Sequence, residues 1–172
     1  VVSCDPSGGK AAACALDFVR SFGQRVFRRP LTAAEQTRYQ TLILSVPSFD
    51  TGVTLAISAL LQSPHFLYRS ELGEPQPDGT FRLTGYEVAS ALSYLFWGTM
   101  PDAALFDAAA RGDLGSDSGI EAQARRMLSD PRTRDTLGLF AQQWLGIERV
   151  RTIDKRLDQF PTWNDPLRQA LL

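Results

Sequence analysis

Val53-Thr54-Leu55-Ala56-Ile57-Ser58-Ala59-Leu60-Leu61-Gln62-Ser63-Pro64-His65-Phe66-Leu67-Tyr68-Arg69-Ser70-Glu71 is the stretch whose reading decides the fold. Val53, Ala56, Ile57, Leu60 and Leu61 recur at i, i+3, i+4, i+7 and i+8, the spacing of one apolar helix face. Ser63-Pro64 interrupts that helix, because proline has no N–H and disfavours helical geometry in the residue before it. Phe66, Leu67 and Tyr68 follow, then Arg69 and Glu71. A buried helix closed by a stop and an aromatic cluster predicts the centre of a helical domain. It names no reaction.

Working outward, the same logic repeats. A first helix is predicted from about Lys10 to Arg28, with Leu16, Val19, Phe22, Val26 and Phe27 on its apolar face. It closes on Arg28-Arg29-Pro30, where cations suit the negative end of the helix dipole and proline stops propagation. Thr32-Ala33-Ala34-Glu35 has capping-box spacing and predicts a second helix to about Ser45, with Tyr39, Leu42 and Ile43 inward. Asp50 or Thr51 is the expected cap of the central helix.

Beyond it, Gly73-Glu74-Pro75-Gln76-Pro77-Asp78-Gly79 is the strongest loop signal, and Phe81-Arg82-Leu83 reads as a short extended piece. Thr84-Gly85-Tyr86-Glu87 repeats the capping-box spacing ahead of Val88, Leu92, Leu95 and Phe96. Pro101-Asp102 predicts a helix start with the proline in the first turn, and Ser118-Gly119-Ile120-Glu121 a third capping box. After Asp130-Pro131, Leu137, Phe140, Ala141, Trp144 and Leu145 again read as a core stripe. Asn164-Asp165-Pro166 looks like one more helix start, cut off at Leu171-Leu172, which suggests a further segment beyond. The fold class expected is all-α: a bundle of about seven short amphipathic helices in two packed halves with negligible strand. The boundaries expected are residues 1–73, a linker loop over 74–79, and residues 80–172.

Composition narrows the function classes. The chain has 172 residues, 44% hydrophobic and 22% charged, with a formal net charge of -1. Those values suit a globular domain able to bury a core. Without a basic or acidic run, neither nucleic acid nor an anionic membrane surface is an expected partner. The longest apolar runs fall far short of the roughly 20 residues of a membrane span. Val1-Val2-Ser3 runs directly into Cys4-Asp5-Pro6, so any targeting segment is expected to have been removed or to lie outside these residues. The two cysteines, Cys4 and Cys14, flank a turn-forming Asp5-Pro6-Ser7-Gly8-Gly9 segment. The spacing fits a disulfide that pins the N-terminus, and equally two unrelated thiols. No CxxC or CxxCH occurs, which removes a thioredoxin-type pair and a covalent haem attachment from this chain.

Candidate chemistry is sparse. His65 is the only histidine, and no HExxH, no GxSxG elbow and no phosphate-binding glycine loop accompanies it. A structural histidine is the simpler reading. Arg28 and Arg29 suit a helix C-terminus better than an anion site, and Arg69 and Glu71 are expected to pair with each other or with Arg29 and Glu35. Asp102 reads as a helix-start carboxylate. Of the three tryptophans, Trp97 and Trp144 fall on apolar stripes and are expected in the core; only Trp163, between prolines and polar residues, is expected to be exposed. The residues singled out as structural polar groups are therefore Arg28, Arg29, Glu35, Arg69 and Glu71, with no catalytic, cofactor or metal residue assigned.

Four ordered motifs carry a resemblance. Phe22-Gly23-Gln24-Arg25-Val26-Phe27-Arg28-Arg29-Pro30-Leu31-Thr32-Ala33-Ala34-Glu35 is similar to FGxRAFRRPLTxxE. Leu60 to Glu71 resembles LLxSPxFLYRxE, and Leu92 to Asp102 resembles LSYFLWxSxPD. Arg126-Met127-Leu128-Ser129-Asp130-Pro131-Arg132, followed by Trp144-Leu145, resembles RMLxDPR and its trailing WL. These are signatures of large secreted or surface proteins of planctomycetes and myxobacteria, assembled from domains of unknown function 1587, 1595, 1592, 1588 and 1585. The match spans the 1595 and 1592 modules. The resemblance implies an extracytoplasmic location and, with it, a Cys4–Cys14 disulfide. It also implies that c-type haem, where the parent protein has it, is bound downstream and not in this chain. The function expected is a helical scaffold module of an exported, cytochrome-associated multidomain protein, its partners being the other domains of that parent. The alternative is a cell-surface binding or assembly module that recognises polysaccharide or a protein partner.

Overall fold

Ser48 begins the central helix. Its hydroxyl accepts from the Thr51 backbone N–H, so the cap lies two residues ahead of the expected Asp50, which becomes a first-turn carboxylate instead. This is read from a computed structural model that describes residues 2–171; Val1 and Leu172 lie outside the described residues, and so do the readings that rest on them.

The N-terminal half packs α1 (Ala11–Phe27), α2 (Ala33–Leu44), α3 (Phe49–Leu61) and the single-turn α4 (Pro64–Leu67). Thr32 and Glu35 form the expected reciprocal capping box at the start of α2. Pro64 sits in the first turn of α4, where its missing N–H costs nothing, and Ser63 caps that turn. Phe18, Val19, Val26 and Phe27 of α1 meet Ile43 of α2 and Val53, Ala56 and Leu60 of α3 in one core. α2 and α3 approach so closely that a Cβ on Gly52 would collide with the Ile43 carbonyl. Cys4 and Cys14 are disulfide-bonded, tying the entry segment to the first turn of α1.

The expected linker is partly a hairpin. Residues 74–75 (β1) pair antiparallel with 81–82 (β2), so that Glu74 faces Arg82 and Pro75 faces Phe81. Asp78 closes the turn by accepting from the Thr80 N–H and hydroxyl.

The C-terminal half contains α5 (Gly85–Trp97), α6 (Ala103–Ala110), α7 (Asp117–Leu128), α8 (Pro131–Trp144) and α9 (Asp165–Ala170), with short 3₁₀ turns over 113–115 and 147–151. Asp102 caps α6, which leaves Pro101 just ahead of the helix and not in its first turn. Ser116, not Ser118, caps α7. A second core gathers Ala89, Trp97, Leu105, Ala108, Leu114 and Met127. Leu95, expected inward, is exposed, because α5 turns its Ala89–Ser93–Trp97 face to the core. The chain is all-α apart from the small hairpin, with two separate hydrophobic cores.

Two corrections concern α8 and the tryptophans. The expected core stripe Leu137, Phe140, Trp144 and Leu145 faces solvent, at 54, 59, 75 and 62% exposure. The helix is seated instead through buried Thr133, whose hydroxyl donates to the Met127 carbonyl. Trp97 is core as expected and donates its indole N–H to that same carbonyl. Trp144 is exposed, and Trp163, expected free, is half-buried beneath the Arg168 guanidinium.

Candidate functional site

The two halves meet at a cleft of about 220 Å³, and most of the polar residues singled out from the sequence are in its walls. Phe27, Arg28 and Arg29 come from the end of α1. His65, Arg69 and Glu71 come from α4 and the strand-like segment after it, and Thr84, Tyr86, Glu87 and Ser90 from the start of α5. Residues scattered over sixty positions of sequence are brought to one place because α1 ends where α4 begins.

Arg28 makes that junction. It closes α1 in the left-handed region at φ 58°, the position that ordinarily favours glycine. The turn aims its side chain inward. Nη2 donates to the carbonyls of His65 (2.8 Å), Phe66 (3.2 Å) and Tyr68 (2.9 Å), the unpaired carbonyls at the C-terminal end of α4. Arg28 is only 6% exposed, and no carboxylate lies within ion-pair distance of it among the described residues. Carbonyl dipoles at a helix C-terminus offset part of its charge; the rest stands at the cleft.

Arg29 turns the other way and grips Glu35 with both Nη atoms, at 2.9 and 2.8 Å. Glu35 also accepts from the Thr32 backbone N–H. The Arg29 guanidinium, chiefly through its hydrogen bonds, holds the Glu35 carboxyl down at about 2, against the opposing effect of burial. His65 stacks its ring 5.0 Å from Phe27 and places Nε2 3.6 Å from Glu35 Oε1. That contact is too long for a hydrogen bond of full strength.

Arg69 does not form the expected ion pair. Its guanidinium lies over the Tyr94 ring of α5, 4.5 Å from the centroid, a cation–π contact between the two halves. Neither Arg69 nor Glu71 has a salt bridge or side-chain hydrogen bond among the described residues.

Sequence reasoning saw Glu87 only as a capping-box residue. It is also the bolt between the halves: Oε1 accepts from the backbone N–H groups of Leu72 and Gly73, and Oε2 from Thr84 N–H and hydroxyl. Burial raises its pKa, yet the donors from Thr84 and Gly73 prevail and the carboxyl stays below its ordinary value. The capping-box spacing was the signal for the Thr84 bonds. Nothing local marks Leu72 and Gly73 as further donors.

A second polar cluster lies in the C-terminal half. Asp102 accepts from the Leu105 N–H as the α6 cap and from Arg126 Nη1 and Nη2 at 2.9 and 3.1 Å. Arg126 and Arg132 both face the Trp97 ring, Arg132 at 3.6 Å. Asp130 pairs with Arg132 as Asp102 does with Arg126, so each charge of the cluster is matched, and it reads as bracing for Trp97.

Among the described residues no group of three or more His, Cys, Asp or Glu side chains is placed to hold a metal ion, and no helix is long and apolar enough to cross a membrane. Residues 83–172 match the family described as Protein of unknown function (DUF1592), and residues 14–71 match the family described as Protein of unknown function (DUF1595). No curated protein matches the chain, and no solved structure does.

Proposed function

We propose, from the premise that this chain belongs to the Protein of unknown function (DUF1592) family and carries a DUF1595 module ahead of that match, that it is a helical scaffold module of an exported multidomain protein, and that α8 is the face by which it docks onto another domain of that parent. One observation carries the reading. Leu137, Phe140 and Trp144 form a continuous apolar edge on α8 at 54, 59 and 75% exposure, beyond the first turn, through which Arg132 and Thr133 seat the helix against α5 and α7. A contiguous apolar edge of this kind marks an interaction surface, whereas isolated exposed apolar residues do not. The Cys4–Cys14 disulfide supports the exported location, since such bonds persist in oxidising compartments. In this reading redox chemistry, with haem c as its cofactor, is carried by a different segment of the parent.

The test uses paired substitutions, Phe140→Glu and Trp144→Glu. In the isolated chain the doubly substituted form should unfold within about 0.5 kcal/mol of the original, because both side chains are already in solvent. In the parent protein the same pair should expose the module to limited proteolysis several times faster. A parent whose cleavage pattern and rate are unchanged contradicts docking through α8.

A further inference from the structure

We infer that the cleft between the two halves is a binding site for a carboxylate-bearing sugar of monosaccharide size, a uronic acid. This goes beyond the scaffold reading and does not rest on it, since α8 contributes nothing to the cleft.

Donors and acceptors at the cleft are unevenly matched. Two carboxylates at the cleft are already saturated. Glu35 is taken by Arg29 and Thr32. Glu87 receives four donors, from Leu72, Gly73 and twice from Thr84. Two guanidiniums, those of Arg28 and Arg69, form no ion pair among the described residues. Arg28, 6% exposed, uses only Nη2 and spends it on neutral carbonyls, so Nε and Nη1 have no partner among the described residues. Arg69 uses only its flat face, against Tyr94, and its edge N–H groups are uncommitted. Both residues line the cleft, and the Tyr68 carbonyl that Arg28 holds belongs to the peptide bond leading into Arg69. A mostly buried cation without an anion is costly unless a ligand supplies one, and guanidinium edges are shaped for a carboxylate.

The unused acceptor specifies the rest of the ligand. Glu71 lines the same cleft with no donor on it, which would repel a bare anion but accept from hydroxyl groups. Ser70 and Ser90 add hydroxyls, and Tyr86 adds aromatic surface for the ring. A ligand with one carboxylate and several hydroxyls satisfies all of these together, and about 220 Å³ accommodates one such ring.

The experiment titrates the whole chain with D-galacturonate by heteronuclear NMR, with D-galactose, which carries a hydroxymethyl group in place of the carboxylate, as the comparison. Saturable shifts at Arg69, Ser70 and Ser90 are expected, with galactose weaker by about tenfold or more. Arg69→Gln should weaken galacturonate by about ten- to hundredfold while its amide spectrum stays folded, since Arg69 is exposed, and Arg69→Lys should recover only part of the affinity. Trigalacturonate distinguishes a free acid from a chain end: equal or tighter binding assigns a polysaccharide terminus, and loss of binding assigns the monosaccharide. The proposal is overturned by the absence of saturable shifts up to ~50 mM galacturonate, by equal binding of galactose, or by undiminished binding to the Arg69→Gln variant.

Discussion

Arg28 offers the sharpest perturbation of the fold, because one residue combines an unfavourable backbone with a demanding side chain. Its left-handed φ of 58° costs an L-residue about 1 kcal/mol, which glycine avoids. Its Nη2 makes contacts of 2.8, 3.2 and 2.9 Å to three carbonyls, but carries only two hydrogens, so it counts as two effective bonds. Bonds to a charged group contribute about 1.5–3 kcal/mol each, giving roughly 3–4 kcal/mol once water from the neighbouring cleft partly replaces them. Arg28→Gly should therefore destabilise by roughly 2–3 kcal/mol, and Arg28→Ala by about 1 kcal/mol more, since alanine keeps the backbone cost and loses the bonds. Urea unfolding followed by circular dichroism gives both values. Amide exchange at Tyr68, whose N–H donates to Pro64, localises the loss to α4. A glycine variant as stable as the original, or glycine and alanine variants of equal stability, would refute this reasoning.

Glu35 has a folded pKa depressed from 4.5 to about 2. Its contribution is therefore complete above about pH 4.5 and is lost as pH falls towards 2, so melting curves of the original and of Glu35→Gln should differ by a constant amount at neutral pH and converge in acid; a gap that widens in acid would contradict the assignment. Cys4→Ser with Cys14→Ser should lower stability by ~2.5–3 kcal/mol, the chain-entropy value for a loop whose ends are 10 residues apart, and thiol titration of unreduced native protein should find no free sulfhydryl. Asp102→Ala removes both the α6 cap and the bidentate partner of Arg126, for a loss of about 2 kcal/mol in urea unfolding, whereas Asp102→Asn keeps the cap and should lose about half as much.

The helices were legible because their signals are local. Thr32 with Glu35 and Thr84 with Glu87 lie three residues apart, and a capping box needs nothing more distant. Of the central stripe, Val53, Ala56 and Leu60 are buried as its period requires, whereas Ile57 is half-buried and Leu61, at the end of the helix, is exposed. The failures have one physical origin. Period reports that a helix has an apolar face, and is silent on what covers it, so the α8 stripe read as core although burial on that face stops at Thr133 in the first turn, bonded to Met127 of α7. Arg28 and Arg29 read alike as helix-end cations. Only the backbone turn at Arg28 sends one towards residues nearly forty positions away and leaves the other on Glu35. The displaced caps are a local ambiguity, since Ser48 and Asp50 in one case and Ser116 and Ser118 in the other are cap-competent residues two positions apart.

The central claim, that α8 presents its apolar edge to another domain of the parent, is tested most directly by hydroxyl-radical footprinting of Leu137, Phe140 and Trp144. Oxidation of these three side chains is compared between the isolated chain and the parent protein, with buried Trp97 as the internal reference. The account predicts rapid oxidation at all three in the isolated chain and severalfold protection in the parent, with Trp97 slow in both. Equal oxidation of Trp144 and Phe140 in the two proteins would contradict it.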